Sequence, residues 1–227
     1  MGPSKLNTEV SASDFEIESR RLAVHSKMRI LRIVDASALV MAAVATLAGV
    51  AILSLAADNL KVYHATYLPP EFLLSLWPEE VDLRPTEALI GAGAVAIVVH
   101  LTALAASRLR ALRNRPHLAT STAIAAPLMV FLAATVAVGL SYAARNAGDG
   151  DHTIHGWTCH WRRVPMQVSP HFGTLCVQGD VALGLAVMLV PLEAVAVGVA
   201  AYAAFLRGRV GAMVRQGEER KGSPALS

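Results

Sequence analysis

The chain has 227 residues, of which 54% are hydrophobic and only 16% are charged, and its mean hydropathy is +0.47. Soluble globular domains carry about 25% charged residues, so this composition excludes an ordinary soluble domain, and also the disordered, fibrous and disulfide-rich secreted classes. A net charge of +3 is too small to indicate nucleic-acid binding. The composition therefore predicts a membrane protein.

Four stretches of the sequence are long and almost free of charge. They comprise residues 36–57, 88–107, 118–144 and 181–206. Each exceeds the ~18 apolar residues that mark a transmembrane helix candidate, and none alternates in polarity as a barrel strand does. Because backbone polar groups in lipid must pair within their own segment, we expect four membrane-spanning helices. The predicted fold is all-α, an integral membrane four-helix bundle.

Lysine and arginine are unevenly distributed among the segments that these spans leave. Six lie in residues 1–35, four in 108–117 and five in 207–227, against five in the loops 58–87 and 145–180 together. Since positive residues stay in the cytoplasm, we expect cytoplasmic N- and C-termini and two outer loops. No cleavable signal-peptide pattern precedes the first span, so we expect that span to act as an uncleaved signal anchor.

The two cysteines, Cys159 and Cys176, both lie in the second outer loop with sixteen residues between them. An even number of cysteines in an oxidising compartment predicts a disulfide. Closing a loop of this length contributes about 3 kcal/mol to stability in the chain-entropy model. Two free thiols that bind a metal are the weaker alternative.

The N-terminal segment, residues 1–35, contains a capping-box pattern at Ser13 and Glu16, followed by apolar residues among basic ones. This pattern predicts a basic amphipathic helix that lies on the cytoplasmic leaflet. A helix that simply continues the first span into water explains the sequence equally well. Both interpretations stay open at this point.

The first outer loop contains an apolar stretch, residues 69–78, that is too short to cross a membrane. We expect an interfacial helix here, with Trp77 at the depth of the lipid headgroups. A cap over the outer mouth of the bundle is the alternative.

The second outer loop holds four of the eight histidines, beside Asp149 and Asp151. Imidazole and carboxylate groups together are able to bind zinc or copper, but no spacing here matches an established ligand pattern. We therefore predict no metal or other cofactor. The weaker metal-ligand candidates are His152, His155 and His160. Two tryptophans flank Cys159, and we expect Trp157 and Trp161 to pack on the disulfide and to anchor the loop at the interface.

Two ionisable residues lie within the predicted spans, and each is the thirteenth residue of its span: His100 and Glu193. Both spans run inward, so twelve residues place each side chain ~18 Å below the outer end. A charged group at that depth needs a partner, and we predict that the two residues form an intramembrane polar pair. Pro191 predicts a kink beside Glu193. A structural clamp is the favoured role, and proton or ion coupling is the alternative.

Small residues recur at four-residue spacing in the spans, which lets helices approach closely. The pairs are Ala38 with Ala42, Ala45 with Gly49, and Ala194 with Gly198. They predict tight packing or lateral assembly without distinguishing the two.

Four spans with cytoplasmic termini, and an outer loop between the third and fourth spans that holds Cys159 and Cys176, resemble tetraspan proteins of the MARVEL type, including occludin-like proteins. The resemblance covers residues 30–207 in topology. Tetraspanins proper carry Cys-Cys-Gly in that loop, where this chain has Trp157-Thr158-Cys159-His160-Trp161, and claudins place their cysteine pair in the first outer loop. The resemblance implies a role in membrane organisation, domain formation or trafficking, without catalysis.

No sequence motif of an enzyme is present: the chain lacks a phosphate-binding glycine loop, a Gly-x-Ser-x-Gly elbow and a His-Glu-x-x-His helix. We therefore expect a non-enzymatic four-span scaffold that acts by lateral helix contacts in the plasma membrane or another secretory-pathway membrane. Its partners are the lipid bilayer and either copies of itself or another membrane protein. The alternative is a small transporter or channel subunit that uses Glu193 and His100 for proton or ion coupling.

Overall fold

The computed structural model describes residues 4–68, 76–108, 116–146, 152–166 and 168–222, and within them the chain is all-α. Within these residues five helices follow in order: α1 Ser4–Thr66, α2 Arg84–Arg108, α3 Pro116–Asn146, α4 Ile154–His160 and α5 Phe172–Gly222. Extended structure among these residues is limited to one isolated bridge between Asp82 and Thr153. The predicted all-α fold is confirmed.

Four of the five helices are long and apolar enough to cross a membrane. The candidate spans are His25–Thr66, Arg84–Ala106, Thr120–Asn146 and Phe172–Ala212. Each predicted span lies within one of the four long helices, α1, α2, α3 and α5. These helices indicate a multi-pass membrane protein, as the charge-free stretches predicted.

The first and last helices extend well beyond the predicted spans: α1 has 63 residues and α5 has 51. The reason is that the residues next to the spans are largely good helix formers, including lysine, arginine, glutamate and alanine. The helix α1 begins at Ser4, so the predicted helix start at the Ser13 capping box is wrong. Whether residues 1–35 lie on the cytoplasmic leaflet or continue the first span into water stays a prediction.

The chain divides into two units, residues 40–198 and a second unit of residues 1–39 with 199–227. In the second unit, Leu31, Ala203 and Leu206 are buried, and Arg207 donates a hydrogen bond to the carboxylate of Asp35 in an ion pair.

The main core of residues 40–198 contains side chains from all four long helices, and more than half of them are alanines. Its buried members are Ala45, Ile52, Ala56, Leu89, Ala92, Ala96, Val130, Ala134, Ala137, Ala186 and Leu189. Because alanine side chains are short, they let helix backbones pack closely, as is typical of membrane helix interfaces.

The helices α1 and α2 pack tightly against each other at Gly49 and Gly93. A Cβ atom added to Gly93 would lie 2.8 Å from the carbonyl oxygen of Gly49 and 2.9 Å from the backbone nitrogen of Leu53. These neighbours are backbone atoms, which cannot rotate away, so the crossing requires glycine. The predicted small-residue pair of Ala45 and Gly49 therefore serves packing within the chain.

The small-residue pair on α5 has a different environment. Ala194 and Gly198 are exposed, and no described atom lies within 4 Å of a Cβ added to Gly198. Pro191 lies inside α5, which continues on both sides of it. Because proline has no N–H, the carbonyl of Val187 loses its usual helical hydrogen bond.

A second core cluster lies where α1 ends and α5 begins, and we call this end of the bundle the disulfide end. The cluster consists of Tyr63, Trp77, Ile154, Phe172 and Leu175. Trp77 is only 2% exposed, with edge-on ring contacts to Tyr63 at 5.1 Å and to Phe172 at 5.5 Å. Its Nε1 donates a hydrogen bond to Thr66 Oγ1 over 3.0 Å.

The predicted role of Trp77 as an interfacial anchor is therefore wrong, because protein side chains enclose the ring that would have to reach the headgroups. Residues 69–75, where most of the predicted interfacial helix falls, lie outside the described residues. Residues 76–83 are non-helical, and Leu76, Val81 and Leu83 pack against the second cluster. This described part of the loop packs at the disulfide end, and a cap over the outer mouth of the bundle stays a prediction.

Candidate functional site

A histidine and a glutamate meet in the interior of the bundle. Nε2 of His100 on α2 lies 2.9 Å from Oε1 of Glu193 on α5. Their side chains are 5% and 1% exposed. The structure thus brings together the two residues for which the sequence predicted similar depths.

The surroundings of this pair are apolar. Ala96 and Leu189, each one turn earlier on the same helices, are buried members of the main core. In such surroundings a hydrogen bond is strong and an unpaired polar group is costly. The second carboxyl oxygen of Glu193, Oε2, is buried and has no hydrogen-bond partner among the described residues. The contact therefore joins α2 to α5 and leaves one acceptor unused.

Two threonines of the predicted spans, Thr102 and Thr135, were candidates to extend a polar path from this pair. Thr102 Oγ1 donates to the carbonyl oxygen of Val99 over 2.9 Å, and Thr135 Oγ1 donates to that of Phe131 over 2.7 Å. Both threonines are exposed and are bonded to their own helices. Neither extends a hydrogen-bonded path from His100 or Glu193.

The predicted disulfide between Cys159 and Cys176 is confirmed. Cys159 lies in the short helix α4, and Cys176 lies near the start of α5. The segment that we predicted to be a loop, residues 145–180, is thus partly helical, because α5 begins at Phe172. The disulfide ties the two helices together at the disulfide end.

Local hydrogen bonds fix the position of α4. Thr153 is its N-cap, with an extended backbone conformation, and its side-chain oxygen accepts a hydrogen bond from the Gly156 N–H over 3.0 Å. This is the usual way to satisfy one of the free N–H groups at a helix start. The backbone N–H of Asp82 donates to the carbonyl oxygen of His152 over 2.8 Å, which connects α4 to the other loop at this end.

His155 connects three elements at the disulfide end. Its Nδ1 lies 3.0 Å from the guanidinium of Arg145, and its Nε2 lies 3.0 Å from Asp180 Oδ1. Because a guanidinium only donates hydrogen bonds, Nδ1 accepts, and Nε2 carries the proton that is donated to Asp180. The result is a hydrogen-bonded chain from Arg145 through a neutral His155 to Asp180.

The electrostatics agree with a neutral imidazole. Burial lowers the pKa of His155 from its ordinary value, the hydrogen bond to Asp180 opposes this change, and the charge of Arg145 lowers the pKa further. A Cβ atom on Gly179 would lie 2.3 Å from Cδ2 of His155. Glycine at this position is therefore what lets the imidazole ring lie against α5.

The disulfide sulfurs lie beside this chain. Cys159 Sγ is 3.6 Å from His155 Nε2, and Cys176 Sγ is 3.8 Å from Asp180 Oδ2. We call His155, Cys159, Cys176 and Asp180 the disulfide cluster. The atoms of His155, Cys159 and Asp180 lie within 4.8 Å of one another, as metal ligands do, but in the disulfide-bonded chain neither sulfur is a thiolate.

The other two histidines that the sequence offered as weaker metal ligands, His152 and His160, are exposed. The ring of His160 lies 5.2 Å from the ring of Trp161, in a tilted arrangement. Neither belongs to a group of three possible ligands among the described residues. Of the three candidates, the structure places only His155 beside other ligand atoms.

The two tryptophans that flank Cys159 differ in environment. Trp157 is half-buried against the second core cluster, and its Nε1 donates to the carbonyl oxygen of Leu76 over 3.2 Å. Trp161 is exposed, and its ring lies 5.8 Å from that of Trp157. Trp161 is thus the one of the two whose ring is free to reach a lipid interface.

A cavity of about 30 Å³ lies next to His155, which is room for about one or two water molecules. Its polar lining consists of Asn59, Thr86, Ser141, Arg145, Thr153 and His155. Asn59 is 4% exposed. Its Nδ2 donates to the carbonyl oxygen of Leu175, while its Oδ1 has no hydrogen-bond partner among the described residues. His100 and Glu193 do not line this cavity.

Several of these contacts were missed by the sequence reasoning. Arg145, Gly179 and Asp180 come from different helices or from positions with no motif of their own. One signal was present: His155 and Cys159, and likewise Cys176 and Asp180, are four residues apart, the spacing that places two side chains on one face of a helix.

No protein-family model, curated protein or solved structure matches this chain. The resemblance to MARVEL-type tetraspan proteins therefore has only the topology and the cysteine positions to support it.

Proposed function

We propose that this protein is a non-enzymatic four-span membrane scaffold that acts by lateral contacts of its helices, with copies of itself or with another membrane protein. The observation that carries the proposal is the distribution of polarity across the bundle. The described core consists of alanine together with isoleucine, leucine and valine, and the His100–Glu193 contact is buried as well, whereas many large apolar side chains are exposed. They include Leu47, Val98, Leu132, Met188 and Val195.

Lateral association is supported by the exposed small residues of α5. Ala194 and Gly198 present a flat surface where another helix backbone is able to approach closely, as in small-residue interfaces of membrane helices. Tight packing inside the chain uses a different glycine contact, Gly49 with Gly93. The α5 pair is therefore left available for contacts between chains.

The buried pair supports the scaffold as an internal clamp. A hydrogen bond between α2 and α5 fixes how the two helices are rotated and shifted relative to each other. The measured contribution of such interhelical hydrogen bonds in membranes averages about 0.6 kcal/mol and reaches about 2 kcal/mol. A clamp of this kind needs no connection to solvent, and the described cavity does not include either residue.

The proposed orientation has cytoplasmic termini, with residues 1–35 and 207–227 inside and the disulfide end outside. Two independent features support it: the excess of lysine and arginine in the terminal segments and in the connector 108–117, and the disulfide, which forms in oxidising compartments. The plasma membrane or another secretory-pathway membrane fits both. The MARVEL-type resemblance belongs to the same proposal.

A small transporter or channel subunit is the second candidate function. The observation in its favour is Oε2 of Glu193, which has no hydrogen-bond partner among the described residues, because ionisable groups within a membrane often mark transport paths. In that case His100 and Glu193 would exchange protons with the transported species.

Two measurements distinguish the candidates. The first is self-association of the purified full-length protein in lipid nanodiscs or vesicles, for the parent, Gly198→Leu and the control Gly139→Leu, an exposed glycine of α3 that also has open space around it. The scaffold predicts that Gly198→Leu weakens association and that Gly139→Leu does not. Equal association of all three would contradict the proposed α5 interface.

The second measurement is proton and ion flux into vesicles for the parent, Glu193→Gln and His100→Phe. The scaffold predicts no flux above that of empty vesicles for any of them. A pH-dependent flux in the parent that both substitutions abolish would establish the transporter instead.

A further inference from the structure

In each of the two helices of the disulfide cluster, the cysteine lies four residues from a second potential metal ligand, a spacing that the disulfide alone does not require. The helix α4 carries His155 and Cys159, and α5 carries Cys176 and Asp180, four residues apart in each case. Residues four apart lie on the same face of a helix. Each helix therefore presents two potential metal ligands to the other.

Three of the separations between these ligand atoms are close to those of a tetrahedral zinc site, and the two sulfurs, which are bonded to each other here, have to move apart before they bind a metal. In zinc sites the Zn–S bonds are about 2.3 Å, the Zn–N bonds about 2.0–2.1 Å and the Zn–O bonds about 2.0–2.2 Å long. In a tetrahedral site, a sulfur ligand therefore lies about 3.6 Å from a nitrogen or oxygen ligand, and a nitrogen ligand lies about 3.4 Å from an oxygen ligand. The observed separations are 3.6 Å from Cys159 Sγ to His155 Nε2, 3.8 Å from Cys176 Sγ to an Asp180 oxygen, and 3.0 Å from His155 Nε2 to Asp180.

We propose that reduction of the Cys159–Cys176 disulfide converts this cluster into a Zn²⁺ site whose ligands are the two cysteine thiolates, Nε2 of His155 and the carboxylate of Asp180. The same two sulfurs form either the disulfide or the metal site, so the two states exclude each other. Thiolate ligands favour zinc over calcium and magnesium.

The conversion balances as two steps. A dithiol reductant supplies two electrons and two protons: the S–S bond breaks, Cys159 and Cys176 become thiols, and the reductant becomes a cyclic disulfide. Zn²⁺ then replaces the two thiol protons, which leave to solvent. The imidazole proton moves from Nε2 to Nδ1, so that Nε2 is free to bind the metal.

The surroundings permit this rearrangement. Arg145, which donates to Nδ1 in the disulfide-bonded chain, is exposed and is able to turn into solvent when Nδ1 gains the proton. The side chain of Asp180 is 59% exposed and that of His155 is 22% exposed, which gives an ion access to the cluster. Because Gly179 has no side chain, the imidazole ring of His155 is able to lie directly against α5.

The test uses the full-length protein in detergent, reduced with a phosphine that is then removed without oxygen, and titrated with Co²⁺ as a spectroscopic probe. We expect one Co²⁺ per chain, with the visible bands of tetrahedral cobalt and thiolate-to-cobalt charge transfer, and displacement by Zn²⁺. The same preparation with its disulfide intact should give neither band. X-ray absorption of the zinc form should show two sulfur ligands at about 2.3 Å and two lighter ligands.

Substitutions identify the two ligands that are not sulfur. Asp180→Asn and His155→Gln should each weaken Co²⁺ binding by at least about tenfold, since even partners that only orient metal ligands have effects of 10–100-fold. His160→Gln is the matched control, because His160 is exposed and adjacent to Cys159 but does not belong to the cluster. It should bind as the parent does.

Three results would overturn the proposal. The first is the finding that the reduced parent protein binds no more Co²⁺ than its disulfide-bonded form does. Another is a bound metal without sulfur ligands. The third is the finding that the Asp180→Asn and His155→Gln variants bind Co²⁺ as tightly as the His160→Gln variant does. The first two use the parent protein alone, so they do not depend on whether a variant folds.

Discussion

Nε2 of His100 and Oε1 of Glu193 lie 2.9 Å apart in the core of the bundle, and this contact connects α2 to α5. Both side chains are buried among alanine and leucine. A histidine in such surroundings depends on its partner, because an unpaired buried polar group costs about 1–3 kcal/mol. We therefore expect substitutions of Glu193 to lower the stability of the bundle, and to lower it less where the new side chain still hydrogen-bonds to His100.

We predict that Glu193→Leu lowers the free energy of unfolding by about 1–3 kcal/mol, because it leaves His100 without a partner. Glu193→Gln should cost less, since an amide still hydrogen-bonds to the imidazole. The measurement is denaturant unfolding of the protein in detergent micelles, followed by circular dichroism.

Two further variants complete this experiment. Glu80→Leu removes an exposed acid and should change stability by less than about 0.5 kcal/mol. The double variant His100→Phe with Glu193→Leu should recover part of the loss, because no polar group is then left unpaired. A Glu193→Leu variant as stable as the parent would argue against a clamp.

The second prediction concerns the crossing of α1 and α2. Gly93→Ala should destabilise the bundle by about 1–3 kcal/mol, because its methyl group would meet the backbone atoms of Gly49 and Leu53. Gly91→Ala is the matched control on the same helix, since open space surrounds Gly91. Thermal unfolding of both variants measures the difference, and equal midpoints would show that the helices do not cross here.

The third prediction concerns Trp77, which is buried at the disulfide end. Trp77→Phe keeps an aromatic ring but removes the hydrogen bond to Thr66, and should cost about 1 kcal/mol. Trp77→Ala removes the ring from its contacts with Tyr63 and Phe172 and should cost about 3–5 kcal/mol. The free energy of unfolding in denaturant measures both.

The control for Trp77 is Trp161→Ala, at an exposed position, which should have a much smaller effect in detergent. If Trp77→Ala were the milder of the two alanine variants, Trp77 would behave as a surface anchor and the structural assignment would be wrong.

The fourth prediction concerns the disulfide. Replacing Cys159 and Cys176 by serine should lower the free energy of unfolding by about 3 kcal/mol in metal-free buffer, because the unfolded chain gains the freedom of the opened loop. Reduced parent protein in a chelator should unfold with the same midpoint as the serine variant. A serine variant as stable as the disulfide-bonded parent would mean that the bond does not support this end of the bundle.

The number and location of the long helices could be predicted from the sequence. A helix that crosses a membrane requires a long run of uncharged residues, and such a run can be read directly along the chain. Helix ends carry no such signal. Lysine and arginine do not occur in the predicted spans but are good helix formers, so α1 and α5 continue past the points where hydropathy falls.

Sites that depend on contacts between helices were predictable only in part. The equal depths of His100 and Glu193 followed from counting residues along two spans that run in the same direction. The burial of Trp77 did not, because a tryptophan near a span end is equally compatible with an interface and with a core. The contacts of Asp180 and Gly179 with His155 depend on how α4 packs on α5, which no local pattern encodes.

The orientation of the chain in the membrane tests the account most directly. A glycosylation acceptor, Asn-x-Ser/Thr, is inserted after Val164, near the disulfide, and in a second variant it is appended after Ser227. We predict that cells glycosylate the first variant and not the second. Glycosylation after Ser227 but not after Val164, or a full-length chain that fractionates as a soluble protein, would contradict it.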